Sequence, residues 1–201
     1  MTPIGKSWAG HDVYETLHGT ENIFDSSYYG THGGVTKINW WGIDDGPFLK
    51  ESANILHRWE KEKKPYFVKI STMSTHAPFS VKEEGPLPDH LLYKTSSQDE
   101  YPGYLSLFKY SQKEITLFLK DMLFGPEGER TLIVLLGDQV TVRNTVPHAN
   151  LSDITRQEIF ARDPIFFLTK IPSIRIDRSK SVQKLNCWRT SKTLSVAMRS
   201  F

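Results

Sequence analysis

The stretch that most constrains the fold is TLIVLLGD, residues 131–138. Its five central residues are apolar and do not alternate with polar ones, so the run has no side suited to water. A strand of this kind is typical of a sheet that helices cover on both faces. The sequence therefore predicts an α/β fold, with Asp138 directly at the carboxyl end of a buried strand.

Two more segments predict strands, and both lack the period of a helix. Residues 66–72, YFVKIST, are aromatic and β-branched and alternate in part. Residues 164–169, PIFFLT, form a second short apolar run after a charged segment. We expect these runs to join residues 131–138 in one sheet.

Apolar residues that recur every three or four positions predict two helices. The first covers about residues 47–61, where Asp44 or Asp45 can accept hydrogen bonds from the first turn and Pro47 suits the first helical position. The second runs from Gly103 to the turn FGPEG. The order helix, strand, helix, strand, strand favours a largely parallel sheet flanked by helices. The residues before the first helix show no sustained period, which indicates loops with short elements.

Two strand ends carry polar residues on the edge of the sheet where α/β proteins bind ligands. The first strand is followed by Ser-Thr-His, ending at His76, and the buried strand by Asp138 and Gln139. A carboxylate beside five apolar residues needs a cation or hydrogen-bond donors, so Asp138 either ligates a hard cation or caps a turn. His76 either binds a ligand or bonds to the backbone of its own loop before Pro78.

Composition excludes several classes of protein. A net charge of +2 on 201 residues is too small to indicate a nucleic-acid partner. No window reaches the 18 apolar residues of a membrane span, and the start has no apolar signal core, so we expect any membrane anchor to lie outside this chain. Residues 170–201 carry eight Lys or Arg against one Asp, a net +7, which leaves −5 for residues 1–169.

Taken together, five segments resemble the catalytic domain of the sulfatase-like, alkaline-phosphatase superfamily. They occur in the family's order and approximate spacing over roughly residues 5–170, and the nearest likeness is to lipoteichoic acid synthases and related phosphoglycerol transferases. The segments are WGIDDGPFLKESANIL, PYFVKISTMSTHAPF, GYLSLFKYSQKEITLFLKDM, ERTLIVLLGDQ and RQEIFARDPIFFL. The resemblance implies an alkaline-phosphatase-like fold that is incomplete at its amino end.

The resemblance also implies an activity and a site. The family transfers phosphoglycerol from a lipid head group through a covalent intermediate on Thr or Ser, with a divalent metal, for which manganese is favoured over magnesium, calcium or zinc. His76 takes the position of a histidine that contacts the phosphoglycerol, and Asp138 that of a metal ligand. Trp8 and His11, in GKSWAGHD, stand near an aromatic residue and an arginine of the substrate loop. The parent protein would act at the extracytoplasmic face of the membrane, periplasmic or extracellular.

The sequence departs from the family in ways that affect catalysis. The nucleophile and a glutamate ligand belong to units that precede the matched segments. Gln139 stands where the family has a metal-binding histidine, and a neutral amide is a poor ligand for manganese or zinc. His148 could replace it from a neighbouring loop. We therefore expect the chain alone to be inactive.

Several alternatives stay open. The same fold hosts sulfatases, phosphodiesterases and phosphoethanolamine transferases, and a catalytically dead remnant could bind only a ligand or a partner. We divide the chain into a partial catalytic domain, residues 1–170, and a divergent basic tail, residues 171–201, which we expect to be poorly ordered. A sheet without its leading strands would expose an edge, so self-association of the fragment is also expected.

Overall fold

The structure is a computed structural model, and it describes residues 1–35, 42–63, 65–76, 101–125, 128–137, 165–171 and 194–200. For residues 101–102 and 194–200 it describes the backbone alone. The helices are α1 (His11–Leu17), α2 (Ser26–His32), α3 (Asp45–Lys61) and α4 (Tyr101–Phe124). The strands are β1 (Phe67–Ser71), β2 (Thr131–Gly137), β3 (Ile165–Thr169) and β4 (Leu194–Ser200), and single 3-10 turns cover Trp8–Gly10 and Gly128–Arg130.

The four strands form one sheet in the order β1, β4, β2, β3, and every hydrogen-bonded pair is antiparallel. The prediction of an α/β fold is confirmed, but a largely parallel sheet is not what the described strands form. The physical reason is that β4 lies antiparallel between β1 and β2, while β3 pairs antiparallel with the other edge of β2. Strands β1 and β2 therefore run in the same direction, as predicted, without bonding to each other.

The predicted helices and strands agree closely with the observed ones. On α3 the buried positions recur every three or four residues and include Phe48, Leu49, Ser52, Ile55 and Leu56. On α4 the predicted inner face is buried at Leu107, Ile115, Phe118 and Met122, whereas Phe108 is half exposed. The amino-terminal residues contain short helices, as expected.

The core lies between one face of the sheet and helices α3 and α4. Its members are fully or nearly fully buried and include Phe48, Ile55, Leu56, Ile70, Met122 and Ile133. Removing this much apolar surface from water is the main stabilising term of such a domain. The other face of β2 carries Leu132, Val134 and Leu136, which are only half-buried.

The tail contributes one described element. Residues 194–200 form β4, while residues 172–193 lie outside the described part of the chain. The boundary at residue 170 and the order of the tail as a whole stay predictions.

None of the helices within the described ranges is long and apolar enough to cross a membrane.

The position of β4 gives a first prediction. Ala197 lies opposite both Lys69 of β1 and Val134 of β2, so proline there removes an amide from the middle of the sheet. We expect Ala197→Pro to lower the free energy of unfolding by about 2 kcal/mol or more and to speed amide hydrogen exchange in β1 and β2. Ala197→Ser keeps the amide and is the control. Unchanged exchange in the proline variant would show that β4 does not pair as described.

Candidate functional site

The register of the sheet brings the carboxyl ends of β1 and β2 to the same edge. Ser71 of β1 and Leu136 of β2 both lie opposite Ser195 of β4. One intervening strand separates them, which corresponds to about 10 Å between their backbones. The segment that leads to His76 therefore leaves the sheet beside the end of β2. Asp138, Gln139 and His148 follow that end and lie outside the described residues.

The segment Thr72–His76, which we name the His76 loop, is held by hydrogen bonds to the first turn of α3. The Asp45 Oδ1 atom accepts from the amides of Met73 at 2.9 Å and Ser74 at 3.1 Å. The Asp45 amide donates to Ser74 Oγ at 2.9 Å, and the His76 amide donates to the Met73 carbonyl at 2.9 Å. His76 itself is half-buried.

The Asp45 carboxylate is completely buried between α3, the loop and α4. Its Oδ2 atom accepts from Ser111 Oγ at 2.5 Å, while the next amide, that of Gly46, donates to the Tyr110 hydroxyl at 3.0 Å. Burial raises the pKa of Asp45 above its ordinary value, and the hydrogen bonds from Ser111, Met73 and Ser74 partly oppose that effect. Burial also raises the pKa of Tyr110, to about 12.

The sequence assigned Asp44 or Asp45 to capping α3, and that role is not observed. Asp44 occupies the N-cap position, but its side chain makes no capping hydrogen bond. Asp45 directs its carboxylate to the amides of another segment. An aspartate at the amino end of a helix is thus used here to join the helix to a loop.

A second polar cluster surrounds Glu15 on α1. Its Oε1 atom lies 2.7 Å from Lys69 Nζ on β1 and 3.4 Å from His11 Nε2, and its Oε2 atom accepts from the Thr20 hydroxyl at 3.1 Å. Burial alone would raise the pKa of Glu15, but the hydrogen bond and charge of Lys69 hold that pKa below its ordinary value. His11 is thereby placed near the outer face of β1.

His11 has an unsatisfied ring atom. Its Nδ1 atom is buried and has no hydrogen-bond partner, and burial lowers the pKa of the ring. Trp8 is half-buried in the 3-10 turn that precedes α1. An open groove of about 570 Å³ runs along the other side of α1 and is lined by Lys6, Asp12, Thr16 and Thr20, among others. Trp8 and His11 are not part of its lining.

The structure describes the surroundings of some of the site residues predicted from the sequence and not of others. His76 lies in an anchored loop at the expected edge of the sheet, and His11 is connected to β1 through Glu15 and Lys69. Within the ranges given above, no three His, Cys, Asp or Glu side chains come together in a way that could hold a metal ion. The metal site therefore stays a prediction.

The sequence analysis did not identify the residues that support the His76 loop or those that surround His11. Ser111 had a signal, because it falls on the apolar face of α4 one turn from Leu107 and one turn from Ile115. A polar residue on such a face needs a partner in the interior. Glu15 and Lys69 carried no comparable signal, since charged residues on a short helix and a strand are ordinarily solvated.

Comparison with known proteins supports the resemblance. No family model matches the chain. It is 25% identical over 183 residues to the lipoteichoic acid synthase-like protein YvgJ of Bacillus subtilis (strain 168), covering 88% of this chain and 28% of that protein. It is 28% identical over 155 residues to lipoteichoic acid synthase 2 of the same strain, covering 76% and 22%. Lipoteichoic acid synthase of Staphylococcus saprophyticus is 27% identical over 132 residues, covering 65% and 19%.

A solved structure of a lipoteichoic acid synthase has a similar fold. The crystal structure of the lipoteichoic acid synthase LtaP from Listeria monocytogenes superposes with a TM-score of 0.66 at 18% identity, over 83% of this chain and 42% of that one. The predicted resemblance to lipoteichoic acid synthases is confirmed, and so is an alkaline-phosphatase-like fold. This chain spans less than a third of the length of these curated relatives.

The Glu15 cluster predicts a pH dependence of stability. Because the pKa of Glu15 is lowered in the folded state, its contribution is complete above the ordinary value of 4.5 and is lost as the pH falls through the folded value. We expect the difference in unfolding free energy between the unmodified chain and Glu15→Gln to shrink below pH 4.5. Denaturant unfolding at several pH values measures it. In a Lys69→Met background the difference should be smaller, and an equal difference there would contradict the pairing.

Proposed function

We propose that this chain forms the carboxy-terminal part of the catalytic domain of a phosphoglycerol transferase of the lipoteichoic acid synthase type. Its substrate would be lipid-linked phosphoglycerol, and the parent protein would act at the extracytoplasmic face of the membrane. The proposal is supported by similarity to proteins of that name over 65–88% of the chain. The observation that carries it is the His76 loop, anchored at the edge of the sheet where β1 and β2 end.

His76 is proposed to bind the phosphate of the phosphoglycerol group. A ring N–H is a donor suited to a phosphate oxygen, and the half-buried ring stands beside a strand end where loops converge. The backbone of the loop is already ordered by Asp45, so binding would require little rearrangement. Trp8 and His11 are proposed as further contacts to the same substrate.

Turnover would need groups beyond those described. The resemblance places a Thr or Ser nucleophile and a glutamate ligand in units that this chain does not match. Attack in line with the leaving group depends on those groups being positioned together with the phosphate. We therefore propose that this chain alone binds substrate and does not turn it over.

The proposed metal ligand of this chain is Asp138, with manganese favoured. A carboxylate at a strand end suits a hard cation, whereas the neutral amide of Gln139 suits manganese poorly, and His148 is the remaining candidate. The role of His76 in binding phosphate does not depend on this cation.

A second candidate is a module that binds the ligand or a partner without catalysis. Gln139 in the place of a metal-binding histidine favours it. Sulfatase, phosphodiesterase and phosphoethanolamine transferase activities have no feature in their favour beyond the fold.

Self-association is also proposed, through β3 at the edge of the described sheet. There the side chains of Ile165, Phe166 and Phe167 are exposed by 41%, 53% and 38%.

Binding of glycerol 1-phosphate tests the role of His76. We expect His76→Ala to weaken binding about tenfold or more, as loss of a hydrogen bond to a charged group does. Isothermal titration calorimetry of the full chain measures it. His57→Ala is the matched control, because His57 pairs with Asp121 at 2.9 Å and lies twelve residues along α3 from Asp45, about 18 Å at the helical rise. Equal affinity in the two variants would remove His76 from the site.

Manganese titration separates the two candidate functions. A transferase portion should bind manganese in a titration up to about millimolar concentration and lose that affinity in Asp138→Asn, because Asp138 is the carboxylate proposed as its metal ligand. A module without a metal site should show no heat of binding in this range. Asp121→Asn, which removes an exposed carboxylate on α4, is the control.

A further inference from the structure

The strongest unassigned feature is the buried junction around Asp45. The carboxylate is 0% exposed and receives three hydrogen bonds, from the Met73 and Ser74 amides and from Ser111 Oγ. A carboxyl group removed from water is costly unless donors surround it. Here the donors come from two segments far apart in sequence, so the carboxyl group connects three elements.

The geometry is specific to the His76 loop. Ser74 is bound twice by the same residue, since its amide donates to Asp45 Oδ1 and its hydroxyl accepts from the Asp45 amide. The His76 amide then closes a turn on the Met73 carbonyl. Residues 73–76 are therefore one turn whose first two amides end on a single carboxylate oxygen.

The orientation of that carboxylate is fixed from the other side. Ser111 binds the Oδ2 atom at 2.5 Å, and one residue earlier on α4 the Tyr110 hydroxyl accepts from the Gly46 amide. Ser111 is itself 3% exposed and lies on the packed face of α4. Rotation of the Asp45 side chain would break bonds in the loop and on α4 together.

We propose that Asp45 is a positioning residue for His76, acting through the His76 loop, and that Ser111 fixes the carboxyl group in the orientation this requires. The proposal rests on the proposed role of His76 in binding a phosphate ester. The carboxyl group does not contact the ligand. It sets the direction in which the turn presents the ring of His76 at the edge of the sheet.

If the junction only stabilised the fold, the variants would give a different set of results. In that case removal of Ser111 Oγ would lower the stability of the protein and leave the loop and ring unchanged. Ser52→Ala provides the matched comparison. Ser52 is 0% exposed on the packed face of α3, bonds to the Tyr29 hydroxyl and the Phe48 carbonyl, and lies seven residues along α3 from Asp45, about 10 Å at the helical rise.

The experiment compares Ser111→Ala, Ser111→Thr and Ser52→Ala in the full chain. Nuclear magnetic resonance gives the ring shifts of His76 and the amide exchange rates of Met73 and Ser74, and calorimetry gives the affinity for glycerol 1-phosphate. Ser111→Ala should shift the His76 ring signals, speed exchange at both amides about tenfold, and weaken binding about fivefold or more. Ser111→Thr keeps the hydroxyl and should restore all three, and Ser52→Ala should change none.

Asp45→Asn is a second probe of the same junction. Its carbonyl oxygen can still accept from the loop amides, but its amide group cannot accept from Ser111, so an intermediate effect is expected. If Ser111→Ala and Asp45→Asn leave the His76 ring signals and both exchange rates unchanged, or if Ser52→Ala moves them equally, the proposal is wrong. If the unmodified chain does not bind glycerol 1-phosphate, the proposed function fails, while the ring signals and exchange rates still decide the positioning role.

Discussion

A carboxyl group that is completely buried must be surrounded by donors, and the arrangement at this end of the molecule follows from that requirement at Asp45. The donors are two loop amides after β1 and a serine on α4, so the start of α3, the end of β1 and the middle of α4 are fixed relative to one another. The apolar core beneath them supplies most of the stability but has no directional preference. Direction at the edge of the sheet comes from this small number of hydrogen bonds.

Periodic patterns predicted the parts of the fold that depend on burial. The recurrence of Phe48, Ser52, Ile55 and Leu56 identified α3, and the apolar run before Asp138 identified β2, because a side chain's access to water is encoded in residue type. The sheet topology was not predictable in the same way. Strand β4 comes from a basic tail whose composition carries no strand signal comparable to that of β1 or β2. Its insertion separates β1 from β2 and replaces a parallel pairing with two antiparallel ones.

In the candidate site, too, some residues are indicated by the sequence and others depend on how distant elements pack. The sequence predicts His76 as a binding residue because it stands after a strand end and the surrounding segments resemble a known family, and that role stays a prediction. The hydrogen bonds of Asp45 could not be predicted, because its partners are 28 and 66 residues away and depend on how the elements pack. Ser111 lies between these cases. Its position on an apolar helical face showed that it needs a partner and gave no information about which one.

The position of β4 also constrains the order in which the chain can fold. The pair Phe67 and Arg199 joins residues roughly 130 positions apart, and the same strand is the only described link between the facing edges of β1 and β2. Contacts of such long sequence separation form slowly, because the entropy of closing the loop is lost before the pairing is gained. During synthesis β1 and β2 would emerge long before the strand that joins them. Their facing edges would present unpaired backbone until residues 194–200 arrive, and unpaired strand edges favour association with other chains.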